Sequence, residues 1–287
     1  PAGSNLTNRI LTNIGAVQNQ GVELTLNAQV LSGPGLNWTV GFNAAYNKNK
    51  IKTLDGNEDP NFVGIPTGNI SGGVGNQVQI LSVGSPVNSF YVYKHKMQNG
   101  KPLVDGVDHN EDGLINGLDM YVDQDGSGTI TEADLVKYKQ PAPKVLLGIT
   151  SNLNYKAFDL AFTIRANFGN YVCNNNASNT ANYSRISELV TQNVMTSVLE
   201  TNFTQPQYFS DYYVENASFL KMDNITLGYS LNDFLTRTKM NARLYATVQN
   251  AFMITKYSGI DPEVNGGIDN NIYPRARTFI LGVNIGF

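Results

Sequence analysis

The last stretch of the chain, residues 278–287, alternates between large apolar side chains and side chains that are mostly small or polar. Phe279, Leu281, Val283, Ile285 and Phe287 form the apolar row. Because alternate side chains of a strand point to opposite faces, this pattern predicts a strand with one apolar face. Such a face meets a second sheet in a soluble sandwich and lipid in a transmembrane barrel.

The same alternation recurs upstream and predicts nine strands, at about 20–31, 38–47, 76–83, 87–97, 144–154, 158–168, 216–231, 241–254 and 275–287. The connections between them are alternately short and long along the whole chain. A sandwich has no reason for this order, whereas an outer-membrane barrel has short periplasmic turns and long extracellular loops. The fold class is therefore predicted as all-β: an antiparallel transmembrane β-barrel segment with long extracellular loops.

The length of the predicted strands and their odd number refine this prediction. Most predicted strands have about 11–15 residues, enough to cross a bilayer at a tilt, and no apolar run approaches the roughly 18 residues that a helical span needs. Bacterial single-chain barrels have even strand numbers, so nine strands predict a larger barrel whose first strands precede Pro1. The start, Pro-Ala-Gly-Ser, has neither Met nor a signal-peptide pattern, which favours a fragment or processed chain. A short helix is predicted within 187–199.

Composition excludes several other classes of function. The single cysteine, Cys173, allows no internal disulfide, and no cluster of Lys and Arg with interleaved aromatics indicates nucleic acid. No hydrolase, kinase or dinucleotide motif is present, and His95 and His109 lack catalytic companions in the sequence, so no enzymatic activity is expected. Thr163, Arg165, Arg243 and Gln249 fall on polar strand faces and are predicted to line the lumen, where contact with solute or packing of the wall are both possible.

One acidic segment, residues 105–134, contains two copies of a calcium-loop pattern. Its nine acidic residues, set against Lys101 alone, give a net charge of −8 over residues 101–134. Side chains at loop positions 1, 3, 5 and 12, with the carbonyl at position 7 and a glycine at position 6, can surround a hard cation with oxygens. The predicted ligands are Asp108, Asn110, Asp112, Leu114 and Asp119 in the first copy, and Asp123, Asp125, Ser127, Thr129 and Asp134 in the second.

These loops differ from an EF-hand. Only Met120, Tyr121 and Val122 separate the two copies, so no helix pair fits between them, and position 12 is Asp instead of the usual bidentate Glu. The prediction is a structural Ca²⁺ site, or two, in a loop without flanking helices. The alternative is an acidic solvated loop with glycine turns.

Several longer stretches together resemble one family. They are NIGAVQNQGVEL at 13–24, VGSP at 83–86 with FYVY at 90–93, VENASFLKMDNITLGY at 214–229, QNAF at 249–252 with TKYSGIDPE at 255–263, and YPRARTF at 273–279. In this order they are similar to the C-terminal part of SusC/RagA-type TonB-dependent transporters of Bacteroidetes. The likeness runs over nearly the whole chain.

The resemblance implies that residues 1–287 are the C-terminal portion of a 22-stranded barrel, with a plug and a TonB box elsewhere. It implies a Gram-negative outer membrane, contact with its lipid, a SusD-like surface lipoprotein as lid, TonB as energy source, and an oligosaccharide or peptide as substrate. Phe287 resembles a barrel-assembly signal, and residues 105–134 match a position where Asp/Gly-rich insertions occur. The alternatives are a passive porin or structural barrel, and a secreted, calcium-stabilised adhesive β-domain.

Overall fold

The computed structural model describes residues 15–54, 62–186, 192–231 and 240–286. Its strands are β1 (Ala16–Gly33), β2 (Leu36–Thr53), β3 (Ile65–Asn69), β4 (Gln77–Leu81), β5 (Ser89–Tyr93), β6 (Met97–Gln98), β7 (Lys101–Pro102), β8 (Leu135–Tyr138), β9 (Val145–Tyr155), β10 (Phe158–Phe168), β11 (Tyr171–Cys173), β12 (Val214–Asn216), β13 (Phe219–Ser230), β14 (Asn241–Thr255) and β15 (Thr278–Gly286). The α-helices are α1 (Gly117–Met120), α2 (Asn175–Thr180) and α3 (Val198–Thr201), and 3-10 turns span Glu132–Asp134, Tyr183–Ile186, Asp211–Tyr213 and Asn265–Gly267. No helix among these residues is long and apolar enough to cross a membrane.

One large sheet forms the wall of the molecule. Its seven strands follow the order β1-β2-β9-β10-β13-β14-β15, and each neighbouring pair is antiparallel. Strands adjacent in this sheet are therefore joined in chain order, as in an up-and-down meander. The predicted all-β, antiparallel class is confirmed.

The wall has two chemically different faces. Register places Leu26 opposite Phe42, Phe42 opposite Ile149, and Ile149 opposite Ile164, so the alternating apolar residues of successive strands form one continuous outer face. Many of these side chains are exposed; Leu281 is 87% exposed. The opposite, inner face carries polar groups, for example Thr226 and Thr247, whose hydroxyls lie 2.8 Å apart.

The number of wall strands corrects the sequence prediction of nine. The predicted strands at 76–83 and 87–97 form β4 and β5 of a separate four-stranded sheet, in the order β3-β4-β5-β8. Each has five residues, too few to span a bilayer. Val78 and Phe90 within them are fully buried. The alternation of short and long connections survives, because this pair lies inside one long connection.

All long connections lie at the same end of the wall strands. They join β2 to β9, β10 to β13 and β14 to β15, whereas the short connections β1–β2 and β9–β10 lie at the opposite end of the strands. We call their described parts, residues 62–144, 169–218 and 256–277, the loop layer. Buried clusters link separate connections, as Met120 and Tyr121 of the first pack with Phe203 and Tyr213 of the second. The loop layer is therefore a packed structure with cores of its own.

The predicted helix at 187–199 is only partly testable. Residues 187–191 lie outside the described residues, together with residues 1–14, 55–61, 232–239 and Phe287. Residues 192–197 are not helical, and α3 begins at Val198 and has four residues. The helix prediction is thus wrong for 192–197: its apolar spacing instead reflects Val194, which packs against the same cluster as Phe203.

Candidate functional site

The two acidic loops have the same backbone geometry at their start. Gly113 N–H donates to Asp108 Oδ2, and Gly128 N–H donates to Asp123 Oδ2, at 2.8 Å in both copies. Both glycines have a positive φ, 84° for Gly113 and 78° for Gly128. Glycine adopts this backbone conformation without the steric cost that a Cβ brings. The repeat seen in the sequence is therefore a repeat in structure.

Backbone N–H groups hold the side chain of the aspartate at loop position 12 in each copy. Asp119 accepts N–H bonds from His109 at 2.7 Å and Asn116 at 2.9 Å, and Asp134 accepts them from Gln124 at 2.6 Å and Thr131 at 2.7 Å. Burial opposes ionisation of Asp119, but backbone N–H donors outweigh it and lower the pKa of this carboxyl. Both aspartates are buried, and each is the third residue of a short helical turn, where it closes a capping box with Asn116 or Thr131 as the N-cap.

The second loop brings its carboxylates together. Carboxylate oxygens of Asp123, Asp125 and Asp134 all lie within 4.8 Å of one another, the one such group of three found in the described residues. Ser127 Oγ lies 3.0 Å from the Thr129 carbonyl oxygen, so the other two predicted ligands of this copy are adjacent. Hydrogen bonds from the loop backbone, first that of Gly128, lower the pKa of Asp123. Such clustered, ionised oxygens suit a hard cation such as Ca²⁺.

The first loop is arranged differently. Asn110 Nδ2 donates to Asp112 Oδ2 at 2.8 Å, and Leu114 N–H donates to Asp112 Oδ1 at 2.8 Å, so two predicted ligand side chains bond each other. The flanking α1 has only four residues, in keeping with the expectation that no EF-hand helices are present. Calcium binding by either loop stays a prediction.

Polar bonds attach the acidic segment to the second long connection. Asp105 Oδ2 accepts from Thr204 N–H at 2.8 Å and from its hydroxyl at 2.9 Å, and Asp105 N–H donates to Thr201 O at 2.7 Å. Tyr121 Oη donates to Gln207 Oε1 at 2.8 Å. These partners lie 86 to 99 residues apart in sequence and carry no motif, so sequence reasoning missed them.

Both histidines have structural partners. His95 is buried, and its Nε2 lies 2.8 Å from the Leu103 carbonyl oxygen, while His109 Nε2 lies 3.0 Å from that of Val104. Burial lowers the pKa of His95. Each ring therefore donates to a backbone carbonyl.

Two of the four residues predicted to line the lumen make ion pairs. Arg243 of β14 pairs with Asp159 of β10, across Gly228 of the intervening β13. Arg165 pairs with Asp223 at 2.6 Å and also with Glu263 of the third connection. These arginines therefore tie wall strands to each other and to the loop layer.

A cavity of about 710 Å³ lies between the wall and the loop layer. Its polar lining consists of amide side chains, those of Asn19, Asn47, Asn49, Asn88, Gln140 and Asn265. Amides both donate and accept hydrogen bonds without net charge. The remaining lining is mostly apolar, with Pro141, Leu146 and Val264 among it, so the cavity combines uncharged amide groups with apolar side chains.

Comparison with known proteins finds relatives by sequence and, separately, similar solved structures. No protein-family profile matches the chain. It is 41% identical to the TonB-dependent receptor SusC of Bacteroides thetaiotaomicron over 295 aligned positions, covering 100% of this chain and 28% of that receptor. It is 30% identical to the TonB-dependent receptor P3 of Formosa agariphila, covering 96% of this chain and 29% of that receptor. The chain therefore spans less than a third of the length of these relatives.

The fold is similar to part of the RagAB peptide transporter. The likeness has a TM-score of 0.72 at 23% identity, over 94% of this chain and 29% of the transporter chain. The same transporter in its open-open state gives a TM-score of 0.69 over 95% of this chain. The relatives are receptors and transporters, so the expectation of no enzymatic activity is confirmed. By sequence over its whole length and by fold, the chain belongs with the SusC/RagA-type TonB-dependent receptors of the outer membrane.

Proposed function

We propose that this chain forms wall and extracellular loops of a receptor that imports nutrient oligomers, glycan or peptide, with energy from TonB. The observation that carries the proposal is 41% identity to a TonB-dependent receptor along 100% of the chain. The polar inner face and the amide-lined cavity support it, since a path for polar oligomers needs hydrogen-bonding groups along its wall.

The test compares uptake of labelled oligosaccharides and peptides by cells that carry the complete receptor gene, cells that lack it, and cells without functional TonB. Import should require both the receptor and TonB. Uptake that continues at the same rate without TonB would instead identify a passive porin and overturn the proposal.

A SusD-like surface lipoprotein is the partner we propose for the loop layer. Val74, Val83 and Leu199 expose 89%, 54% and 72% of their surface on this layer, away from the lipid-facing side of the wall. Exposed apolar groups outside the membrane are typical of surfaces that a partner covers. The complete receptor should co-purify with the lipoprotein encoded beside it, and a Val74→Asp, Leu199→Asp variant should lose it. Unchanged recovery would contradict this interface.

The second acidic loop is the calcium site we propose, with a structural role in the loop layer. Asp123, Asp125 and Asp134 supply carboxylates, Ser127 a hydroxyl and Thr129 a carbonyl, the oxygen ligands that Ca²⁺ prefers. The first loop, with Asp108, Asn110, Asp112, Leu114 and Asp119, is a second candidate whose side chains must separate before they could hold an ion.

Calcium titration of the complete receptor by calorimetry tests both loops. Asp123→Asn should abolish the tighter binding event, whereas Asp108→Asn, the matched change at position 1 of the first loop, should leave it intact. Equal binding by wild type and by a variant with both substitutions would exclude calcium from residues 105–134.

A further inference from the structure

Two neighbouring clefts, each of about 340 Å³, are lined by lysines. One lies between β2 and the loop layer, and the other lies beside it in the loop layer, with Pro86, Gln140 and Lys144 common to both linings. The lysines of the two linings, which we call the rim lysines, are Lys48, Lys50, Lys137, Lys139 and Lys144. Neither lining contains Asp or Glu, so the clefts concentrate positive charge.

The unequal lengths of β2 and β9 explain why a cleft forms here. Pairing of the two strands ends at Tyr46, whereas β2 continues to Thr53. A turn of the first connection is bonded to this free part of β2: Ile51 N–H donates to the Ser85 carbonyl oxygen, and Gly84 N–H donates to that of Ile51, both at 2.9 Å. Backbone hydrogen bonds therefore fix the turn and β2 relative to each other.

Two rim lysines continue the apolar row on the outer face of the wall. Tyr46 pairs in register with Val145, and Val145 with Phe168, so these residues end the apolar row at the loop-layer end of their strands. The side chains of Tyr46 and Phe168 are exposed. Lys48 and Lys50 follow Tyr46 at every second position, and at about 3.3 Å per residue they lie about 7 and 13 Å beyond it on the same face.

The rim lysines keep their charge free for a ligand. All five are exposed, and none forms an ion pair with another described residue. Lys137 Nζ donates to Ser82 Oγ at 2.8 Å, and Lys139 Nζ lies 5.0 Å from the centroid of the Tyr171 ring. These contacts orient two ammonium groups without neutralising them, because neither partner is anionic and each ammonium has three donors.

We propose that the rim lysines bind phosphate groups of lipids in the outer leaflet of the outer membrane. In membrane barrels an apolar outer band ends at a girdle of aromatic residues at the interface, so cations just beyond Tyr46 lie at the level of the lipid headgroups. Lysines at that level attract anionic lipid, and an ammonium group is a suitable partner for phosphate. The site is on the outside of the barrel and does not depend on which substrate is imported.

Lys144→Gln, alone and combined with Lys48→Gln, tests the site in the complete receptor. Both side chains are exposed and make no ion pair within the described residues, so the melting temperature in neutral detergent should stay that of wild type. Affinity for lipid A with two phosphates, measured by native mass spectrometry, should fall about 5-fold for one substitution and about 25-fold for both. Lys156→Gln is the matched control, since this exposed lysine lies in the short connection between β9 and β10, at the opposite end of the wall. It should bind like wild type.

Two further ligands identify what the lysines recognise: lipid A from which the phosphates have been removed, and inorganic phosphate. Both should bind wild type far more weakly than lipid A with two phosphates. Equal binding of the dephosphorylated lipid would mean that its acyl chains alone hold it, and equal binding of inorganic phosphate would mean a site for soluble anions. Either result overturns the proposal, as does an affinity of the double variant for phosphorylated lipid A equal to that of wild type.

Discussion

Lys221 Nζ lies 2.8 Å from Glu263 Oε2, and the two residues belong to different parts of the molecule. Lys221 is on β13, with a side chain that is 4% exposed, and Glu263 is in the third connection. Arg165 and Arg275 also form ion pairs with Glu263, so three cationic side chains surround one carboxylate. This cluster fixes the third connection to the inner face of the wall.

Glu263→Gln should therefore be strongly destabilising. It removes the nearer of the two carboxylates beside the buried Lys221 and leaves Asp223, 4.0 Å away, as its counter-charge. Breaking a buried ion pair from one side costs about 3 kcal/mol. Adding Lys221→Met should recover part of this loss, because no uncompensated charge then remains buried. Urea unfolding of the complete receptor in detergent measures both; Glu111→Gln, at an exposed acidic position, is the control.

The same pair predicts an acid dependence. Burial opposes ionisation of Glu263, but the bonds from Arg165 and Lys221 outweigh it and lower the pKa of Glu263 in the folded protein. The resulting stabilisation is present above the ordinary glutamate pKa and is lost as pH falls from there through the lowered value. Wild type should lose stability over this acid range, and Glu263→Gln should lose less. Identical pH profiles would contradict this linkage.

A new charge should cost much more stability on the outer face of β1 than on its inner face. Leu26 lies on the outer face and pairs in register with Phe42, and the next residue, Asn27, points to the inner face. Leu26→Lys should cost about 2–4 kcal/mol in lipid vesicles, as charges on the lipid face near the midplane do. Asn27→Lys should change stability by less than about 1 kcal/mol. Equal costs would mean that the faces have been assigned wrongly.

The wall could be predicted from the sequence, because its outer face imposes a period of two on long stretches. The alternation located β1, β9, β10, β13, β14 and β15 to within about four residues at each end, whereas β2 continues six residues beyond its predicted end at 47. It failed at β4 and β5, where Val78, Ile80, Phe90 and Val92 are buried inside a small sheet and read like lipid-facing strands.

The loop layer was beyond sequence reasoning for a different reason. Its contacts join residues that are far apart in the chain and follow no period, such as Tyr121 with Phe203 and Tyr213. The two acidic loops were recognisable because each has all its polar partners within twelve residues. In the first loop two candidate ligand side chains bond each other, whereas in the second loop the carboxylates cluster. This difference depends on side-chain rotations that the motif does not specify.

Asp134 should stabilise its loop even without a metal ion. Asp134→Ala would leave the N–H groups of Gln124 and Thr131 without their acceptor in a buried site, at a cost of about 2–4 kcal/mol. Glu132→Ala, an exposed position in the same turn, should change stability by less than about 0.5 kcal/mol. Thermal unfolding of the complete receptor in excess chelator separates this effect from calcium binding. If Asp134→Ala leaves the stability unchanged in excess chelator, the aspartate acts only through a metal ion.

Cys173 offers a probe of how the loop layer opens. Burial, with smaller contributions from Glu215 and Asp269, raises the pKa of its thiol to about 12. Iodoacetamide at pH 8 should therefore label Cys173 on the order of 1,000-fold more slowly than an exposed cysteine, because the thiolate is the reactive form. A receptor with Cys173→Ala and Thr196→Cys supplies that exposed reference. Tyr257→Phe should speed the labelling of Cys173, since the Tyr257 hydroxyl holds Asp269, whose N–H donates to the Cys173 carbonyl oxygen. Equally fast labelling of Cys173 and of the reference would show that the loop layer opens freely.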